Sequence, residues 1–249
     1  MTAAPAGRFV WHEIQTPDPQ AAVAYYAALF DWKTKEIEMG PGGAYTEFLV
    51  GDLPMAGMDP QKSGQASWAS YATVEDVDAA MARAEKLGGK MLEAPRDIPG
   101  VGRYAVLQDP LGAVIRPFKF ADAEPPEMPN NHHGWFCWDE MHTTDVEKSK
   151  GFYGEVFGWS FQGMEMGPMG TYWMAGRGEL PAAGFMPAPP EATPQWLPAV
   201  FVDDVDARTK KAMALGGKVW VEPSDIPGMG RFSVTSDPQG AMLTLFRAS

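Results

Sequence analysis

The stretch PRDIPGVGRYAVLQDPLGAVIRPF, residues 95–118, returns as PSDIPGMGRFSVTSDPQGAMLTLF, residues 223–246, with 13 identities in 24 aligned positions. Agreement at that density marks an internal duplication. The same offset of 128 pairs Trp68 with Trp196 and Leu87-Gly-Gly-Lys90 with Leu215-Gly-Gly-Lys218. Upstream the offset is 127. It pairs Phe9-Val-Trp-His-Glu13 with Phe136-Cys-Trp-Asp-Glu140, and Tyr26, Phe30 and Trp32 with Tyr153, Phe157 and Trp159. Leu53-Pro54 and Gly57 likewise meet Leu180-Pro181 and Gly184. The chain is therefore one domain written twice, expected at 1–120 and 132–249. Residues 121–131, rich in proline, glutamate and asparagine, read as the linker.

Each copy divides again into two similar halves. In the first, residues 8–16 form a short run of strand formers. Asp18-Pro19 supplies a helix cap with proline at the first position. Val23, Tyr26, Ala27 and Phe30 recur at helical spacing and mark an expected buried face. Thr144 and Glu147 have the spacing of a capping box in the second copy. A second half follows, with a strand near 68–74 and a helix from about Asp76 to Leu87. Val77, Met81 and Ala84 point inward, and Gly88-Gly89 ends the helix. Strands near 90–93, 103–108 and 113–120 close the half. The order β-α-β-β-β, four times over, predicts an α+β fold.

Composition narrows the class of function. With 249 residues each copy is long enough to bury a core. A net charge of −12 lacks the basic footprint of a nucleic-acid binder. No window reaches 18 consecutive apolar residues, so no membrane span is expected. The start, Met1 to Arg8, lacks the basic and apolar segments of a secretory signal. A single cysteine, Cys137, cannot form an intrachain disulfide and suits a reducing compartment, so a cytoplasmic location is expected.

Trp11-His-Glu-Ile-Gln-Thr16, Asp18, Tyr25-Tyr26, Phe30-Asp-Trp32 and Asp109-Pro-Leu-Gly112 together resemble the vicinal oxygen chelate superfamily. That superfamily includes glyoxalase I, bleomycin-resistance proteins and extradiol dioxygenases. The resemblance covers essentially the whole chain and is nearest to a two-domain, glyoxalase-like bacterial branch. It implies paired βαβββ modules with curled, mixed sheets that form cups. It does not fix a reaction, because one fold hosts many activities.

Metal-using members of the superfamily carry a ligand in the first strand of a module and another in its last strand. The matching first-strand positions here are Trp11, Ala69, Trp138 and Leu197, and the final-strand glutamate is replaced by Arg116 and Thr244. A one-residue slip would bring in His12 and Asp139 on the first strands but no donor on the last ones. The resemblance therefore implies no orthodox metal site, and no cofactor is expected. A divalent metal belongs only to the alternative reading, a glyoxalase, lyase or dioxygenase-type enzyme acting on a small carbonyl or vicinal-oxygen compound.

Strand alternation places Trp11, Glu13 and Gln15 on one face, and Trp138, Glu140 and His142 on the matching face. Val10 and Ile14 lie opposite, as do Cys137 and Met141, which makes Cys137 an expected core thiol. Glu13 and Glu140 are the candidate catalytic residues, since a carboxylate among tryptophans is driven toward a base's range unless it is paired. Tied to neighbouring groups, the same glutamates are structural. Trp11, Trp138, His142, Tyr45, Tyr172 and Trp173 are the candidate ligand-binding residues; the tryptophans either wall a cup or plug it. The Met39-Gly-Pro41 and Met166-Gly-Pro168 turns read as hairpins or as lips of a cup. Arg103 and Arg231 read as anion clamps or as braces held by Asp97 and Asp225.

Three uses follow: a binder of a small molecule, an enzyme built on the two glutamates and His142, or an interaction protein with filled cups. The expected partner is a small-molecule ligand. Nucleic acid and membrane are not expected, and a homodimer is compatible with the sequence.

Overall fold

A computed structural model describes residues 7–38, 43–61, 64–122, 131–167, 170–178 and 180–249. Most of the expected linker and the Met39-Gly-Pro41 turn, together with Pro168, lie outside these residues. The first module runs β1 (Phe9–Thr16), α1 (Pro19–Phe30), β2 (Lys33–Glu38), β3 (Ala44–Val50) and β4 (Leu53–Pro60). The second runs β5 (Ser67–Thr73), α2 (Val77–Lys86), β6 (Lys90–Ile98), β7 (Gly102–Gln108) and β8 (Val114–Phe120). In the second copy the third module holds β9 (Phe136–Thr143), α3 (Val146–Phe157), β10 (Ser160–Glu165), β11 (Thr171–Arg177) and β12 (Leu180–Pro187). The fourth holds β13 (Gln195–Phe201), α4 (Val205–Ala214), β14 (Lys218–Ile226), β15 (Gly230–Ser236) and β16 (Met242–Ala248). The expected βαβββ order is present four times. Two eight-stranded mixed sheets result, ordered β2-β3-β4-β1-β5-β8-β7-β6 and β10-β11-β12-β9-β13-β16-β15-β14.

Local chemistry explains the helix ends. Asp18, Asp76, Asp145 and Asp204 each cap a helix by accepting a backbone N–H three residues on. The cap of α3 is thus Asp145 rather than Thr144, as the match of Asp145 to Asp18 in the repeat requires. Asp31 ends α1 in the left-handed region, at φ 59°, where the repeat places Gly158 at φ 72°. Burial on α1 falls on Ala22, Tyr25, Tyr26, Leu29 and Phe30, a face rotated from the expected one. Strand β6 continues past 93 to Ile98, farther than its sequence suggests.

Compactness groups the chain differently from the duplication. One unit comprises Met1–Val10, Ser70–Glu127 and Trp138–Trp196; the other comprises Trp11–Ala69, Met128–Cys137 and Leu197–Ser249. The first unit therefore holds most of modules two and three, and the second most of modules one and four.

In the first unit, Tyr153, Phe157, Trp159, Phe185 and Trp196 form a buried aromatic cluster with α2 residues such as Met81 and Ala84. Its polar centre is a chain of bonds. Trp196 Nε1 donates to Tyr153 Oη at 3.0 Å, and Tyr153 donates to Asp109 Oδ2 at 3.0 Å. Asp109 Oδ1 also accepts from the backbone of Leu111, Gly112 and Ala113. The Asp-Pro-x-Gly motif thus ties the β7–β8 turn to a helix of the other copy.

The second unit repeats the device. Trp68 Nε1 donates to Tyr26, Tyr26 donates to Asp237, and Asp237 accepts from the backbone of Gln239 and Ala241. Burial raises the Asp237 pKa despite these bonds.

Candidate functional site

Within the second unit, β1 pairs in parallel with β4 so that Glu13 lies beside Gly57, and β3 pairs with β4 so that Glu47 lies on its other side. Tyr45, on β3, reaches across β4 to the face of β1. Trp11 Nε1 donates to Tyr45 Oη at 3.1 Å, and Tyr45 donates to Glu13 Oε1 at 2.8 Å. The crossing requires a residue without a side chain beneath it. A Cβ on Gly57 would stand 1.6 Å from Tyr45 Oη and 3.1 Å from Trp11 Nε1.

The first unit holds the same arrangement. Glu140 pairs with Gly184, and Trp138 Nε1 donates to Tyr172 Oη at 2.8 Å. Tyr172 is hydrogen-bonded to Glu140. A Cβ on Gly184 would stand 1.7 Å from Tyr172 Oη.

Both phenols are held protonated. Burial is the larger cause, and the adjacent carboxylate adds to it, so the Tyr45 and Tyr172 pKa values lie above the usual phenol range. Each network consequently runs in one direction, from indole N–H to phenol to carboxylate, with each bond polarising the next.

The copies differ at their open ends. Glu13 is buried, whereas Glu140 is half-buried. His142 Nε2 lies 2.7 Å from Glu140 Oε1. At the matching place Gln15 donates to Asp59 at 3.3 Å, which also accepts from Gln61 at 2.8 Å.

Of the eight sequence-derived candidates, Trp11, Glu13 and Tyr45 meet in one unit, and Trp138, Glu140, His142 and Tyr172 meet in the other. Trp173 does not join them. It packs on the opposite face against the core, under Lys150 Nζ at 3.3 Å from the ring centroid. Adjacent strand residues point to opposite faces, so Tyr172 and Trp173 cannot line the same one. Gly57 and Gly184 were conspicuous in the repeat, yet their role depends on cross-strand register.

Neighbouring candidates have structural partners. Arg103 bonds Asp78 and Asp97, and Arg231 bonds Asp206 and Asp225, as braces do. Cys137 is half-buried rather than fully buried, with its Sγ 3.5 Å from the Ala199 carbonyl. His12 is buried and stacks on Phe136 at 3.9 Å.

The residues at the expected ligand positions do not suit a divalent ion. Arg116 is buried, stacks on Tyr71 and donates to its hydroxyl at 3.2 Å. A guanidinium has no lone pair to give and carries the wrong charge. Tyr71, Tyr104 and Phe118 are buried alongside it, so the second module's face is filled by its own side chains. Among the described residues, no group of three or more His, Cys, Asp or Glu side chains is placed to hold a metal ion. Among the same residues, no helix is long and apolar enough to cross a membrane.

The family model described as Glyoxalase/Bleomycin resistance protein/Dioxygenase superfamily matches residues 8–116 and again 124–245. The chain is 32% identical over 244 residues to the "Putative glyoxylase CFP32" of Mycobacterium bovis, covering 95% of this chain and 93% of that one. It is 30% identical over 266 residues to the anthracycline biosynthesis protein DauV of a Streptomyces species, covering 97% and 93%. The solved Mn(II)-bound glyoxalase from Novosphingobium aromaticivorans has the same fold, at TM-score 0.63 and 16% identity over 98% of this chain and 82% of that one.

Proposed function

The chain belongs to the glyoxalase/bleomycin resistance protein/dioxygenase superfamily, and from that premise we propose that it binds a small, partly aromatic molecule on a sheet face without using a divalent ion. The observation that carries this reading is the Trp–Tyr–Glu network, built twice over a glycine. In module three it sets an indole ring for flat apolar contact beside a half-buried carboxylate, Glu140, that serves as a polar anchor on the same face. The relatives support a small-molecule role, one being named as a glyoxylase and another for anthracycline biosynthesis.

A second reading rests on the 2.7 Å contact of His142 with Glu140. A carboxylate that orients an imidazole makes a general base, suited to taking a proton from a hydroxyl or from a carbon beside a carbonyl. This reading uses the same face and the same anchor.

Calorimetric titration tests the binding proposal, with 2-naphthol as a flat probe carrying one weakly acidic hydroxyl. Saturable binding that is unchanged by a chelator is expected. Absence of binding, or loss of binding on chelation, would overturn the proposal.

A further inference from the structure

Beyond the shared network, the two copies of the site have diverged at five neighbouring positions on the same face. On module one, register places Gln15 beside Asp59, Lys35 opposite Glu47 and Ile37 opposite Tyr45. The repeat offset carries those five residues, in the order Gln15, Lys35, Ile37, Glu47 and Asp59, to His142, Gln162, Met164, Met174 and Met186. Register on module three confirms that they occupy the same places. His142 lies beside Met186, Gln162 is opposite Met174, and Met164 is opposite Tyr172. Module one therefore surrounds its network with Lys35, Glu47 and Asp59. Module three has no charge at those positions and three half-buried methionines instead.

Resting on the binding role proposed above, we propose that the two faces are not equivalent. Module three alone takes the ligand, and that ligand is a planar apolar molecule bearing a weakly acidic hydroxyl. Methionine supplies an adaptable, polarizable surface that packs well on aromatic rings. A charged face must instead give up the hydration of Lys35, Glu47 and Asp59 to accept an apolar ring. The hydroxyl is specified by Glu140. Its carboxylate already accepts from Tyr172 and contacts His142, and an ionised carboxylate has about four lone-pair positions, so it can accept one donor more. Module one's Glu13 is buried beneath its phenol and does not present such an edge.

The test titrates 2-naphthol, and separately its methyl ether, into the full chain and into the triple variant His142→Gln, Met174→Glu, Met186→Asp. Each new side chain already stands at the matching place in module one, and thermal melting checks that the variant folds. One mole of naphthol per chain is expected. Binding should weaken on the order of tenfold or more for the methyl ether and for the variant. If the triple variant fails to fold, His142→Gln alone should still narrow the preference for naphthol over the ether. Two equivalent moles per chain, or undiminished binding in the folded variant, would overturn the inference and leave the binding role intact. No binding to any form would overturn both.

Discussion

Replacing Asp109 with alanine is expected to lower the free energy of unfolding by about 3–5 kcal/mol, a large share of a domain's stability. One carboxylate accepts from three backbone N–H groups and from Tyr153, whose own oxygen accepts from Trp196. Each buried donor left without a partner costs about 1–3 kcal/mol. The turn is partly reached by water, so the total should fall below the full sum. Tyr153→Phe removes the acceptor of Trp196 and one of the four donors to Asp109, and should cost only about 1–3 kcal/mol. Urea unfolding of both variants checks the order. A loss under about 1 kcal/mol for Asp109→Ala would mean that the turn is held mainly by its own backbone.

The second large effect should come from Gly184→Val. The added Cβ would fall 1.7 Å from Tyr172 Oη and 2.9 Å from Trp138 Nε1, so the phenol must leave and the chain of bonds to Glu140 must break. Overpacking of this kind costs about 1–3 kcal/mol where the neighbours are fixed. Tyr172 is only half-buried and can swing outward, so the lower end is expected for stability. Affinity for the naphthol probe should suffer more, by on the order of tenfold or above, because the carboxylate loses its orienting partner. Calorimetry alongside a melting curve separates the two effects. Unchanged affinity in a folded Gly184→Val chain would mean that the network is a strut and not part of the binding face.

The contrast between these two sites shows what the sequence made legible. The Asp-Pro-x-Gly motifs, the Asp18 cap and the fourfold βαβββ order follow from local chemistry and stand where the residues place them, whereas the α3 cap falls on Asp145 and not on the expected Thr144. Trp11 with Glu13, and Trp138 with Glu140, were visible as pairs because alternation along one strand is a local property. Tyr45 was visible only as a candidate. Its bond to Glu13 spans 32 residues and depends on β4 lying between β3 and β1. No periodicity encodes that order.

Gly57 shows the same gap, since an invariant glycine in a repeat signals a close approach without naming what approaches. Trp173 is the opposite case. The period of two on a strand already separated it from Tyr172, and its aromatic character outweighed that rule. The pairing of modules into compact units was also beyond local reading, because the clusters around Tyr26 and Tyr153 draw on both copies. Compactness is decided by which aromatic faces meet, and that is a tertiary property.

The most direct test observes the indole of Trp138 itself. In a nitrogen–proton correlation spectrum, its Nε1–H signal is assigned by its disappearance in Trp138→Phe. Because that N–H donates to Tyr172 at 2.8 Å, a molecule seated on this face must alter its environment. Addition of 2-naphthol should move this resonance progressively to saturation, equally with and without a chelator. A titration in which the Trp138 indole stays still while the probe binds elsewhere would contradict the account.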